Sequence, residues 1–526
     1  MTPRDDLVTT ILARAGESPR RVAIRDHRGR SVTFGELGAD VTRVAAHLAS
    51  RGLVAGDGVL LAVRPSPRAV SAALGVVLAG GVVVVADPGA GEALLDVRRR
   101  TVPVRGAVSD TLVHAATRRP LSSLLGRLPA TSGLQLPDLS TPGLVHLVTG
   151  PRLPGVPRSA TRWEQLPTGS PNRSPTAAVG DPTRDALVVF TSGTTAAPRA
   201  VVHTLRSLSA GVEAAVVALE LDERVVMHTD QLMIGLPTLV AGATWSLPPV
   251  TATTRAWRRQ AEREHATHAY AVPAKMLAAA SRGLPPAMRQ VGMGGAPVLP
   301  VTVRRLGSLA PGVSVRAVYG LTEALPVAVA TGEQVLASPP GRTCLGPPLP
   351  GVSVRIEAPD RDGVGEIVVR APQARHRLAG ESPTEEVRTG DLGELGPDGT
   401  LLLAGRSKNM IIRGQANIYP ELVEPLLLDR LGDAIADCAL VGVAHPVTGD
   451  ERVVLAVVPV PGRSPEPDAA TLSRLVLRAW SGLADEAWRP DEVVTVAEVP
   501  RRGRSAGVDL EALRGLVDSR REGAPA

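Results

Sequence analysis

Lysine is almost absent from this chain of 526 residues: Lys275 and Lys408 are the only two, and every other member of the 58 basic residues is arginine. Aromatic residues make up 2% and cysteines number two. Each scarcity excludes something. Cys344 and Cys438 stand alone, without C-x-x-C spacing or neighbouring histidines, which excludes a disulfide framework and a structural zinc site and fits a reducing, cytoplasmic compartment. Aromatics are too few to interleave with the densest basic clusters, Arg98 to Arg100 and Arg501, Arg502 and Arg504, so the stacking platform of a nucleic-acid binder is missing. The formal net charge of +6 then reflects arginine usage of the kind a GC-biased genome gives, scattered among 52 acids. Long apolar runs are also missing. The longest, Val70 to Ala86, falls short of a membrane span and contains Gly75, Gly80 and Gly81; it reads as helix, glycine turn and a buried strand over Val82–Val85. The N-terminal MTPRDDLVTTILARAGESP has acids where a signal peptide needs an apolar stretch, and reads as an ordinary helix.

What is present is length and apolar content. With 44% hydrophobic residues the chain is too apolar for disorder and too long for one ordinary core, so two or more domains are expected. Short Val/Leu/Ile runs (Val59–Val63, Val82–Val85, Leu187–Phe190, Ser314–Val318, Glu366–Arg370) alternate with segments of helical period such as Val41–Arg51 and Val301–Leu309. That alternation predicts an α/β fold: a large N-terminal domain of mainly parallel sheets with flanking helices, and a small α+β C-terminal domain on a hinge. From about 128 to 182 the composition turns to Pro, Ser, Thr and Gly, which reads as a surface excursion. A compact segment follows Arg406, with strands at Ala439–Val443, Val453–Val458 and Val493–Val499 and helices at Glu421–Leu431 and Ala469–Gly482. The expected domains are therefore 1–405 and 406–526. No internal repeat is visible.

The chemistry-bearing stretch runs from Leu187 to Val201, where a buried strand enters the loop TSGTTAAPRAV beginning at Thr191. Backbone N–H groups and the hydroxyls of Thr191, Ser192, Thr194 and Thr195, with Gly193 between them, can surround a polyphosphate that Arg199 neutralises. Downstream come Gly294-Gly295-Ala296-Pro297, then YGLTE from Tyr319 to Glu323, TGDLG from Thr389 to Gly393, Gly405-Arg406, and RGQANIYP from Arg413 to Pro420.

In this order and spacing the chain resembles the adenylate-forming (AMP-binding) superfamily of acyl-CoA synthetases, adenylation domains and luciferases, from about Arg21 to Arg514. The family's phosphate loop reads TSGTTGxPKGV; here Ala196 and Ala200 replace glycines and Arg199 replaces the lysine. The resemblance implies ATP and Mg²⁺ as cofactors and a small carboxylic acid as substrate. Tyr319, beside Gly320, offers a face for adenine, while Gly294, Gly295 and Ala296 leave room for base and acid. Thr322 donates to the α-phosphate and Glu323 is the metal carboxylate. Asp391 accepts the ribose hydroxyls, Arg406 sits beside it, and Lys408 is the hinge on which the small domain swings.

Two departures matter. The family's last lysine, in a pattern like PRTxSGKxxR, corresponds to Gly507, or with a gap to Arg504; no lysine follows Lys408. In the segment from Met227 to Gly235, Leu232 replaces the histidine that many acyl-CoA synthetases carry three residues before the glycine, and the nearby His228 is assigned no catalysis. Asp87-Pro88-Gly89, YGLTEALPV from Tyr319 and TCLGP from Thr343 look like the branch that includes olefin-pathway β-lactone synthetases. The resemblance thus implies a ligase that makes acyl-AMP and pyrophosphate, then passes the acyl group to a thiol of CoA or of a carrier protein's phosphopantetheine, in fatty acid metabolism or secondary metabolite biosynthesis. Two alternatives stand beside it: closure of a 3-hydroxy acid into a β-lactone, and a degenerate binder of nucleotide or acyl-adenylate that has lost adenylation with the lysine. The segments Leu232 to Ala243 and Gly292 to Ala296 suggest an apolar or aromatic acid.

Overall fold

The computed structural model describes residues 6–85, 102–116, 139, 143–167, 181–191, 199–249, 253–406, 409, 411–413, 416–418, 420–444, 451–461, 469–480, 488–502 and 507–522. Its N-terminal part begins as the local signals require. Asp6 caps the helix Leu7–Glu17 through its carboxylate, which accepts from Val8 N and Thr9 N. Thr33 and Glu36 form a reciprocal capping box at the start of Phe34–Ser50, whose buried stripe is Phe34, Leu37, Val41, Val44, Ala45 and Leu48. The next helix, Pro67–Leu78, is capped by Ser66 and almost wholly buried. Gly75 lets these two helices approach closely, since a Cβ there would lie 2.6 Å from Val44 Cβ. Gly80, at φ 86°, makes the turn into the buried strand Val82–Val85 that the sequence predicts.

Two eight-stranded sheets carry the fold. In the first, Val22–Asp26, Thr244–Leu247, Val226–His228, His268–Ala271, Gln290–Met293 and Ser314–Leu321 pair in parallel, with antiparallel strands Ser31–Thr33 and Ala324–Thr331 at the edges. In the second, Asp185–Thr191, Val82–Val85, Gly58–Ala62, Val104–Asp110, Val145–Thr149 and Thr161–Arg162 run parallel, and Arg199–Thr204 and Arg377–Leu378 add antiparallel strands. A continuous apolar core joins both sheets to the N-terminal helices, with Ile24, Val41, Val83, Leu187 and Trp245 among its members. A five-stranded antiparallel sheet, in the order Thr343–Gly346, Leu401–Arg406, Glu386–Leu395, Gly365–Arg370, Ser353–Glu357, packs beside the first. The α/β architecture with mainly parallel sheets is as the alternation predicts.

The surface excursion read over 128–182 needs correcting. Val145–Thr149 is a buried strand inside the second sheet, pairing with Val104–Asp110, because its VHLVT run supplies buried side chains despite the glycines and prolines around it. Beyond Arg406, Ile435–Ala444, Glu451–Pro459 and Glu492–Thr495 form a three-stranded sheet covered by Pro420–Leu431 and Ala469–Trp480. The last strand ends at Thr495, short of the predicted Val499. Val496 and Val499 instead join Leu513 and Val517 of the final helix, Leu510–Glu522, in a separate small core. Among the described residues no helix is long and apolar enough to cross a membrane.

Candidate active site

The strands Gln290–Met293 and Ser314–Leu321 run parallel, and their carboxyl ends open into one cleft against the five-stranded sheet, the usual place for a ligand in an open α/β sheet. The cleft encloses about 90 Å³ and is lined by Gly295, Ala296, Tyr319, Gly320, Asp391 and the strand residues Cys344 and Leu345, among others. Gly295 turns the chain at φ 75°. Tyr319 Oη donates to Asp391 Oδ2 at 2.8 Å, and Asp391 is 4% exposed, so a flat ring and a buried carboxylate are locked together. The backbone N–H of Asp391 donates to Thr389 Oγ1, and Asp391 stands opposite Arg406 in the ladder. Cys344 and Leu345 belong to the TCLGP run, which reads locally as a strand and gives no sign of reaching this cleft; burial raises the Cys344 thiol above its usual pKa.

Thr322 and Glu323 form the turn between Ser314–Leu321 and Ala324–Thr331, Thr322 exposed and Glu323 half-buried. Two other elements hold that turn by its carbonyls. His203 Nε2–H donates to Thr322 O at 2.8 Å, and Arg375 N–H donates to Glu323 O at 2.6 Å. Burial holds His203 below the ordinary histidine pKa, and the Arg375 charge adds to this while the bond to Thr322 opposes it. Donation to a carbonyl fixes the proton on Nε2 and leaves Nδ1 facing Ser207 Oγ at 3.3 Å. His203 lies on the strand Arg199–Thr204. Thr191 and Arg199 face each other in that ladder, so the phosphate-loop candidate and Thr322 are joined through one strand and one hydrogen bond.

Of the other predicted residues, Ser192, Gly193, Thr194, Thr195, Lys408 and Arg504, with the Asp87–Gly89 signature, lie outside the described residues. Gly507 is exposed and pairs with Arg502 in a short ladder, whose neighbour Arg501 is tied to Asp437 at 2.7 Å. Leu232 opens the helix Leu232–Val240 and packs on the main core. That helix is seated by Gly235 on Trp245, where a Cβ would come within 2.3 Å of the indole, and Trp245 Nε1 donates to Thr229 O at 2.8 Å. His228 faces away from the cleft: Nδ1 lies 2.8 Å from Ser246 Oγ, its ring meets Trp257 edge-on at 4.5 Å, and burial pulls its pKa down to about 3.

A cleft at the carboxyl ends of parallel strands, a Tyr–Asp pair and a hydroxyl–carboxylate turn are formed by residues that the resemblance to adenylate-forming enzymes singles out. The chain belongs to the AMP-binding enzyme family, whose model matches residues 12–375; the model of the AMP-binding enzyme C-terminal domain matches residues 432–505. It is 27% identical to an olefin β-lactone synthetase of Xanthomonas campestris, over 88% of each chain. It is 26% identical to a sulfoacetate–CoA ligase of Cupriavidus necator, over 94% of this chain and 95% of the other. Among solved structures it superposes on an amide bond synthetase from Marinactinospora thermotolerans with a TM-score of 0.76 and 26% identity, covering 97% of this chain and 99% of that one.

Proposed function

We propose that this enzyme activates a carboxylic acid with ATP, releasing pyrophosphate, and transfers the acyl group from acyl-AMP to a thiol of CoA or of a carrier protein. The observation that carries the reading is the Tyr319–Asp391 pair in one cleft with the Gly294–Ala296 loop, at the end of the strand that leads to Thr322 and Glu323. Adenine stacks on Tyr319, and Asp391 accepts from the ribose hydroxyls. Thr322 and the Thr191–Thr195 loop, with Arg199, hold the phosphates while the acid's carboxylate attacks the α-phosphorus in line, so catalysis is positioning and charge stabilisation. Mg²⁺ is held through one or two carboxylates together with substrate phosphates, and a single half-buried Glu323 in the turn after Thr322 fits that donor set. When bound, the ion neutralises charge on the phosphate oxygens. Residues 1–405 and 406–526 act as two domains hinged at Lys408, with Arg406 beside the ribose, and Arg504 takes the place of the missing lysine.

A second reading is intramolecular: the hydroxyl of a 3-hydroxy acid displaces AMP and closes a β-lactone. Leu232 at the position of the family histidine and the similarity to an olefin β-lactone synthetase support it. The test is acid-dependent exchange of labelled pyrophosphate into ATP over aliphatic, aryl and 3-hydroxy acids, followed by product analysis with and without CoA. Exchange is expected with at least one acid. Silence across the panel, from folded protein that binds ATP, would leave a nucleotide-binding protein without adenylation.

A further inference from the structure

On the activation reading the acid's carboxylate meets Thr322, and the apolar space that shares Val318 with the cleft, behind the strand Ser314–Leu321, is where its tail would run. That space lies between the helices Leu205–Ala218 and Leu232–Val240 and the hairpin carrying Leu325 and Pro326. Its walls are apolar, among them Ala215, Leu219, Met233, Ile234 and Val318, yet it encloses only about 10 Å³. One water needs roughly that much, whereas a drug-sized ligand occupies about 300 Å³ or more. The small residues here mark close packing and not room. A Cβ on Gly211 would lie 2.8 Å from Leu325 O, so this glycine lets the helix touch the hairpin.

The obstruction comes from two strands along, beyond Gln290–Met293. Tyr270, on His268–Ala271, is 3% exposed and packs with Leu219, Ile234 and Val318. Its ring lies flat across the neighbouring strand at two positions that share a face. A Cβ on Gly292 would meet Tyr270 Cδ2 at 2.6 Å, and one on Gly294 would meet its Oη at 2.2 Å. Leu219 Cδ2 would stand 3.2 Å from the same Gly292 Cβ and closes the other side. The ring therefore occupies the volume under Gly292 and Gly294 and packs with Val318, the residue that lines both the cleft and the small space.

Resting on the activation reading above, we infer that Tyr270 is the floor of the acid pocket and restricts the enzyme to short-chain carboxylic acids. A long acyl tail has no path past this ring.

The test measures binding of non-hydrolysable acylsulfamoyl adenosines of increasing chain length, from acetyl to dodecanoyl, beside pyrophosphate exchange with the same acids. Wild type should bind acetyl to butanoyl analogues and lose at least about tenfold in affinity by octanoyl. Tyr270→Ala should move the optimum to longer chains, each newly accommodated methylene tightening binding about fourfold. Tyr270→Phe keeps the ring and should keep the wild-type cut-off. If the alanine variant does not fold, Tyr270→Leu carries the same expectation. Wild-type affinity that rises steadily to dodecanoyl, or a length profile unchanged by removal of the ring, overturns the assignment. Silent exchange with the length cut-off intact would refute activation and support the role of Tyr270; active exchange with length-blind binding would do the reverse.

Discussion

Tyr319 and Asp391 are 72 residues apart in the chain and come from two different sheets, yet the phenol donates to the carboxylate at 2.8 Å. The bond fixes the plane of the ring and holds the carboxylate in the same cleft, so that under the proposed function one rigid unit would meet base and ribose. A hydrogen bond to a charged group contributes about 1.5–3 kcal/mol. Tyr319→Phe, which keeps the aromatic face, should weaken ATP binding about tenfold. Asp391→Ala, which also removes the ribose acceptor, should weaken it about a hundredfold or more. Titration calorimetry with ATP checks both, and equal affinity in wild type and Asp391→Ala would remove the pair from nucleotide binding.

Glu323 is held by its carbonyl from Arg375 N–H, so its side chain can change without freeing the turn. Glu323→Gln should preserve folding and lower Mg²⁺-dependent exchange by about a hundredfold or more, as loss of an electrostatic stabiliser does in other enzymes. The informative readout is the Mg²⁺ titration. A variant with unchanged Mg²⁺ dependence and turnover would take the metal role away from Glu323.

The local parts of this site are legible in the sequence, and their meetings are not. Tyr319 sits in a five-residue motif and Asp391 in a GDLG run, both visible at once; that one hydrogen-bonds the other depends on sheets built from distant segments. His203 reads as a polar residue in an apolar strand. The one clue to its importance is position, four residues after Arg199 of the phosphate loop. Tyr270 gives no local sign of its place, because only the strand order puts it under Gly292 and Gly294. Val145–Thr149 is hidden for the opposite reason: glycine and proline on both sides mask a run whose burial is decided by the sheet it joins. Period and capping residues dictate elements; parallel pairing over long separations dictates sites.

The absent C-terminal lysine makes the third prediction. In the sequence the lysine position falls on Gly507, which carries no cation, or with a gap on Arg504, which does. Removing a donor preorganised for a charged transition state costs about 10²- to 10³-fold in rate. Arg504→Ala should therefore lower pyrophosphate exchange by about that factor with little change in ATP affinity. Gly507→Lys, at an exposed position on a short ladder, should not disturb the fold and should restore part of the loss in the Arg504→Ala background. An Arg504→Ala enzyme of wild-type rate would show that adenylation here proceeds without a cation from this segment.

Buried histidines should make the protein sensitive to mild acid. His228 has an ordinary pKa of 6.5 when exposed, and burial lowers it to about 3 in the fold, where its ring packs on Trp257 and faces Ser246. Above pH 6.5 the ring is neutral in both folded and unfolded chains and costs nothing. As pH falls from 6.5 toward 3, the unfolded chain takes up a proton that the folded one refuses. Stability from this group is then lost at up to about 1.4 kcal/mol per pH unit. His228→Asn retains a polar partner for Ser246 and removes the titration, so its thermal midpoint should fall less steeply than that of wild type between pH 6.5 and 4.5. Carboxylates titrate in both proteins over the lower part of that range, and the difference between the two curves isolates the histidine. Parallel curves would mean that the ring is protonated in the fold at mild pH, which its apolar surroundings oppose.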